Sequence, residues 1–172
     1  MSTMKLMSLP CYCATLRQVA RSATSLYEEV LAGSDLRATQ YTALQVLELG
    51  PSLTTSELAE AIGIDPTTAT RALALLRKGG LAIDTVGSDR RQRRWSLTSQ
   101  GQVQLHKLRP SWEAAQRAFE KRLGLTGAVA LKNASYRAAR RLTAGRAASG
   151  PLQEAVALSP TAPSTARTHV DT

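Results

Sequence analysis

Two helix starts and two helix stops crowd into the stretch from Thr54 to Gly80, and this punctuation leaves few folds open. Thr54-Thr55-Ser56-Glu57 is a capping box, in which the first hydroxyl and the carboxylate three residues on each satisfy an otherwise orphaned backbone N–H. The spacing predicts a short helix with Leu58, Ala59 and Ile62 inward, closed by Gly63. Asp65 then offers a second N-cap, and Pro66 fits the first helical position, where its missing N–H is no loss. Gly79-Gly80 supplies a left-handed stop after a cationic last turn. Two short helices joined by a tight turn containing glycine form a helix-turn-helix. On the second helix Ala69, Ala72, Leu73 and Leu76 make an apolar stripe, while Thr67, Thr68, Thr70, Arg71, Arg77 and Lys78 project elsewhere. From that helix alone two readings stand: an ordinary solvated face, or a face that reads DNA.

The residues that follow bear on the choice. After Gly80 the pattern changes period: 81–86 reads as a strand, 87–92 as a turn and 93–97 as the return strand. Arg90, Arg91, Arg93 and Arg94 fall together there beside Asp89, and arginines this close repel one another unless a polyanion is near. A basic hairpin behind a helix-turn-helix is a wing. It places the second helix in the major groove and the hairpin on the backbone or minor groove.

Long helices are expected on both sides. Leu9, Cys13, Leu16, Ala20, Ala23, Tyr27 and Val30 alternate steps of four and three, a coiled-coil-like seam. A second helix, with Thr39 as cap, carries Tyr41, Leu44 and Leu47 up to Gly50-Pro51. Beyond the hairpin, Thr98 caps a helix with Val103, Leu105, Leu108, Trp112, Ala115, Phe119 and Leu123 apolar and Pro110 as a kink point. A last helix over about 127–143 sets Val129, Leu131, Tyr136 and Leu142 inward and Lys132, Arg137, Arg140 and Arg141 outward. From Gly145 the chain turns to Ala, Ser, Thr, Pro and Gly and is expected to be a disordered tail. The fold class is mainly α with a small β-hairpin wing.

A net charge of +9 and a pI near 10.3 favour a polyanionic partner. With no apolar run long enough to span a bilayer and no signal-peptide core between Met1 and Pro10, a cytoplasmic protein is expected. Paired carboxylates, a phosphate loop and a nucleophile motif are all missing, so no enzyme and no cofactor are expected. RNA or anionic lipid remains a rival partner for the basic face, but the basic elements lack the interleaved aromatics of single-strand binders.

The segment Asp89-Arg90-Arg91-Gln92-Arg93-Arg94-Trp95-Ser96-Leu97-Thr98-Ser99-Gln100-Gly101 resembles the wing pattern of the MarR family, Asp-x-Arg followed by Leu-Thr-x-x-Gly. The resemblance extends over roughly Leu9 to Leu142. It implies that Asp89 and Arg91 pair to hold the wing, and that Arg90 or Arg91 enters the minor groove. It further implies that Thr67, Thr68, Thr70 and Arg71 face base edges. The domain division becomes 1–34 as an N-terminal dimerisation helix, 35–97 as the DNA-binding lobe, 98–144 as C-terminal dimerisation helices and 145–172 as the tail. The flanking helices are indeed too long and too apolar on one seam for a lone winged helix to cover. The expected partners are a second copy of the chain and a pseudo-palindromic duplex, bound as a repressor. Arg71, Arg77, Lys78 and the wing arginines, Arg93 included, would displace counterions.

Two effector mechanisms follow from the resemblance. One is release by a small aromatic or phenolic effector between the dimerisation helices and the DNA-binding lobe, with Arg17, Arg21, Tyr27 and Tyr41 as lining residues. Arg21 can equally be a surface cation and Tyr41 core. The other is thiol redox sensing: Cys13, fourteen residues before Tyr27, resembles the organic-peroxide-sensing branch, although Arg17 and Ala38 stand where that branch has tyrosines. A cysteine on a helical seam is also an ordinary small hydrophobe. Cys11 lies off the seam, and neither His106 nor His169 stands at metal-ligand spacing from the pair, so no metal site is expected.

Overall fold

A computed structural model describes residues 7–8, 10–50, 52–87 and 92–144. The chain runs α1 (Tyr12–Val30), α2 (Ala38–Leu49), β1 (Leu53–Thr54), α3 (Thr55–Ile62), α4 (Pro66–Lys78), β2 (Ala82–Val86), β3 (Arg93–Leu97), α5 (Ser99–Leu123) and α6 (Leu125–Thr143). The structure is mainly helical, with an antiparallel sheet in the order β1-β3-β2. The wing is therefore more than a hairpin. β1, too short to register as a strand in the sequence, pairs Leu53 with Trp95 and Thr54 with Arg94 and ties the start of α3 to the wing.

The caps of α3 and α4 form as their residues dictate. Thr54 N–H donates to Glu57 Oε2 at 2.7 Å, and Glu57 N–H donates to Thr54 Oγ1 at 3.2 Å. Gly63 closes α3 in the left-handed region at φ 76°. Of the glycine pair after α4, Gly79 keeps a right-handed conformation and Gly80 makes the left-handed turn at φ 71°. α2 begins earlier than Thr39 suggests. Its first N–H groups are met by Gln40 Oε1, which accepts from Arg37 N–H at 2.8 Å, and by Glu28 of α1, which accepts from Ala38 N–H at 2.8 Å. A long-range acid thus does the work expected of a local hydroxyl.

The core is drawn from the chain between Leu36 and Leu108. Tyr41 and Leu44 of α2, Leu58 of α3, Leu73 and Leu76 of α4, Leu53, Trp95 of the sheet, and Leu105 and Leu108 of α5 form one buried cluster. Burial of this kind is the main stabilising term, about 1.5–3 kcal/mol for each large side chain fully removed from water. The Leu97-Thr98-x-x-Gly101 joint fastens the wing to α5. Thr98 Oγ1 accepts from Gly101 N–H at 2.9 Å and donates to Gly80 O at 2.7 Å. Gly101 is buried against the Leu81 backbone, where any Cβ would clash.

The outer helices differ from the inward assignments. Leu26 is the buried residue of α1, whereas Cys13, Leu16 and Ala20 of the anticipated seam are exposed in the single chain. Val103, Val129, Tyr136 and Leu142 are exposed as well, Leu142 at 79 %. Helical periodicity detects an apolar stripe without saying what covers it, and one chain offers these stripes no cover. Between α1, α5 and α6 lies a groove of about 400 Å³ lined by Val19, Leu26, Phe119, Leu123 and Leu131, with Gln18 and Arg122 also on its walls. No helix among the described residues is long and apolar enough to cross a membrane. The expectation of a disordered tail, 145–172, lies outside the described residues.

Candidate nucleic-acid interface

The α4 helix is anchored by its four buried residues Ala69, Ala72, Leu73 and Leu76, which leaves the opposite face outside. Asp65 accepts from Thr68 N–H at 2.9 Å and from the Thr68 hydroxyl, and these bonds hold its carboxyl below the usual carboxylate range. Thr70 Oγ1 donates to Pro66 O at 2.8 Å. The hydroxyl protons of Thr68 and Thr70 are thus engaged within the helix, and their methyls and oxygen lone pairs remain for any partner. Thr67, Thr70, Arg71 and Lys78 are exposed, and Thr68 is half-buried. Neither Arg71 nor Lys78 has an ion-pair or hydrogen-bond partner among the described residues.

Asp84, on β2, organises the boundary between α4 and the wing. Its Oδ1 accepts from Arg77 Nη1 at 3.2 Å and its Oδ2 from Arg93 Nη1. The Asp84 side chain is only 6 % exposed, while those of Arg77 and Arg93 are 54 % and 62 % exposed. The Arg93 hydrogen bond, followed by that of Arg77, keeps the Asp84 carboxyl below its ordinary value. Arg77 also lies over the Trp95 ring, 5.9 Å from its centroid, and Trp95 Nε1 donates to Thr55 Oγ1 at 3.0 Å. One chain of contacts therefore joins α3, the sheet and the end of α4.

Arg94 departs from the expectation of a mutually repelling arginine cluster. It turns back onto the body, donating to Ser52 Oγ at 3.1 Å and Ser52 O at 2.7 Å, with Glu57 3.6 Å away. The expected Asp89–Arg91 pair and the tip residue Arg90 lie outside the described residues. Asp84 was legible in principle. It shares a sheet face with buried Ala82 and stands opposite Trp95, and an acid at an inward register position requires a cation.

The candidate effector residues divide into two groups. Tyr27 and Tyr41 pack on the same ring, Trp112, with centroids at 4.6 and 4.5 Å. The Tyr27 hydroxyl donates to Gln116 Oε1 at 2.6 Å, and Tyr41 is 1 % exposed, a core residue. Burial raises both phenols above their ordinary value. Cys13 and Arg17 are exposed near the start of α1. At 1.5 Å rise per residue Cys13 is about 21 Å along the axis from Tyr27. A single chain therefore does not bring the four together. Cys11 and Cys13 are both free and exposed. No cluster of three metal-ligating side chains occurs among the described residues.

Comparison with known proteins bears on this arrangement. A family model described as MarR family matches residues 34–94. Among solved structures, the chain is similar to the M. tuberculosis transcriptional regulator MosR in complex with DNA, with TM-score 0.67 and 33% identity over 80% of this chain and 99% of that one. BpsR of Bordetella bronchiseptica, whose DNA binding is regulated by 6-hydroxynicotinic acid, has TM-score 0.67 and 19% identity over 77% of this chain and 96% of its own. Wild-type MarR of E. coli has TM-score 0.61 and 19% identity over 76% and 98%. At that identity the last two speak for the fold alone. Among curated sequences no significant match was found. With a helix-turn-helix, a wing and the Leu-Thr-x-x-Gly joint in one frame, and MosR matched along nearly its whole length, the chain belongs to the MarR family of transcriptional regulators.

Proposed function

We propose that this chain is a cytoplasmic, homodimeric regulator that binds a pseudo-palindromic DNA operator as a repressor and leaves it when a small aromatic or phenolic effector binds. The observation that carries the DNA-binding part is the outward face of α4: Thr67, Arg71 and Lys78 project from a helix locked by its buried side, with Arg71 and Lys78 lacking any partner among the described residues. A rigid helix with unpaired cations facing outward fits the major groove, where arginine grips a guanine edge bidentately. Arg77 and Arg93, and the tip arginines Arg90 and Arg91, supply phosphate contacts beside it.

The dimer is supported by the apolar faces of α1, α5 and α6, where Leu16, Val19, Leu123 and Val129 are exposed and Val19 and Leu123 line a groove that a second copy would fill. Residues 1–34 and 98–144 then pair the protomers, and 35–97 read DNA. The effector reading draws on the Tyr27–Trp112–Tyr41 stack at the junction of α1, α2 and α5.

Duplexes selected from the host genome by the purified protein test the proposal. Arg71→Ala should weaken the selected operator by roughly 5- to 150-fold, the equivalent of about 1–3 kcal/mol, and relax the preference at one base position while leaving the dimer intact. Unchanged operator affinity by fluorescence anisotropy would remove Arg71 from base readout. Indifference of the wild type to duplex sequence at moderate salt would overturn the regulator reading itself.

A second reading of the release step has its own observation. Cys11 and Cys13 are both free and exposed, two residues apart at the start of α1, where a peroxide has access. Peroxide oxidation of the Cys13 thiol to a sulfenic acid, with Cys11 as the resolving thiol, would act at the same end of the dimerisation helix.

A further inference from the structure

An acid inside a surface that binds a polyanion works against the electrostatics of binding, and Asp84 sits in such a place. Resting on the DNA-binding reading above, we propose that Asp84 is a positioning residue that sets the specificity of DNA binding, by restraining two of the cations that would otherwise bind any duplex. Both of its oxygens are occupied, one by Arg77 from the last turn of α4 and one by Arg93 from β3. Each guanidinium has five donors and gives one here to Asp84, so the exposed remainder still points to solvent.

Three consequences follow from that geometry. The trio carries a net charge of +1 rather than +2, which weakens attachment to phosphates of any sequence. Arg77 is held between the Asp84 carboxylate and the Trp95 ring, so its direction is fixed before DNA arrives. The reading helix and the wing are joined through one carboxylate and approach DNA as one body. A register that suits the helix but not the wing is then penalised. The sheet itself does not require the acid, because β2 and β3 pair through five backbone positions from Ala82–Leu97 to Val86–Arg93.

The test compares wild type, Asp84→Asn and Asp84→Glu in the full chain, on the selected operator and on a random duplex, across a salt series. Asp84→Asn should steepen the log affinity against log salt slope by about 0.9, so its advantage on random duplex grows about eight-fold for each ten-fold drop in salt. Its operator-to-random ratio should fall, and Asp84→Glu should restore both values. If Asp84→Asn does not fold, Asp84→Ser replaces it; failure of both neutral variants beside a folded Asp84→Glu assigns the residue to stability and overturns the proposal. Equal slopes and equal ratios in wild type and Asp84→Asn also overturn it. Wild type that binds operator and random duplex alike removes the DNA-reading premise instead, a result distinguishable from the others.

Discussion

Gly101→Ala adds one methyl to the chain, and the structure makes it costly. The new Cβ would lie 2.8 Å from Leu97 Cδ1 and 2.9 Å from the Leu81 carbonyl carbon, with the Leu81 oxygen closer still. Two of these three atoms are backbone, so no rotamer change relieves the clash. Moving Leu81 away also stretches the Thr98 N–H bond to the Leu81 oxygen, now 3.2 Å. Overpacking a tight site costs about 1–3 kcal/mol, and the weakened hydrogen bond about 1 more. The better helix propensity of alanine offsets up to about 1 kcal/mol of this. A net loss of about 1–4 kcal/mol results, which for a chain of this size lowers Tm by roughly 2–16 °C. Gly127→Ala is the internal control. There the nearest atom to a new Cβ is Leu123 Cβ at 3.9 Å, an ordinary contact, and the substitution should be neutral or stabilising. Urea unfolding followed by circular dichroism, at one fixed protein concentration, measures both. A Gly101→Ala protein as stable as wild type would refute the account of why glycine closes the Leu-Thr-x-x-Gly joint.

Cys13→Ser should keep operator binding, since the residue is exposed on α1, outside α4 and the wing; continued release of that variant from DNA by peroxide would dismiss Cys13 as a sensor. Asp84 gives a pH dependence with a defined sign. Its folded carboxyl ionises below the ordinary value, so its contribution to stability is present above about pH 4 and fades as pH falls through the lowered value. The urea midpoints of wild type and Asp84→Asn should therefore converge on acidification from about pH 5 to pH 2, and a gap that stays constant would show that ionisation of Asp84 does not carry the difference. Arg71→Ala and the Asp84 series complete the set, one aimed at base choice and the other at salt response.

The elements that the chain announced most clearly were those whose signals are local. Thr54 with Glu57, Asp65 with Pro66, and Gly63 each act on backbone groups within one turn, so short stretches of sequence contain the whole cause. The stripe Ala69, Ala72, Leu73 and Leu76 was equally plain, because helix period and burial coincide on an element packed on one side. β1 escaped notice, since two residues hold no periodicity and pair only because β3 lies alongside. Arg94 was grouped with the wing cations, and Glu57 and Ser52, more than thirty residues earlier, took it out of that group.

The amino-acid order alone determined the helix-turn-helix and the wing strands, for both depend on caps, turns and alternation within reach of a few residues. Tertiary structure decided the rest. It assigned Asp84 as the common partner of Arg77 and Arg93, brought Tyr27 and Tyr41 onto the one Trp112 ring, and left the apolar faces of α1 and α6 uncovered. Those outcomes depend on which distant surfaces meet, and charge or hydropathy along a chain specifies that a side chain needs a partner without specifying where the partner comes from.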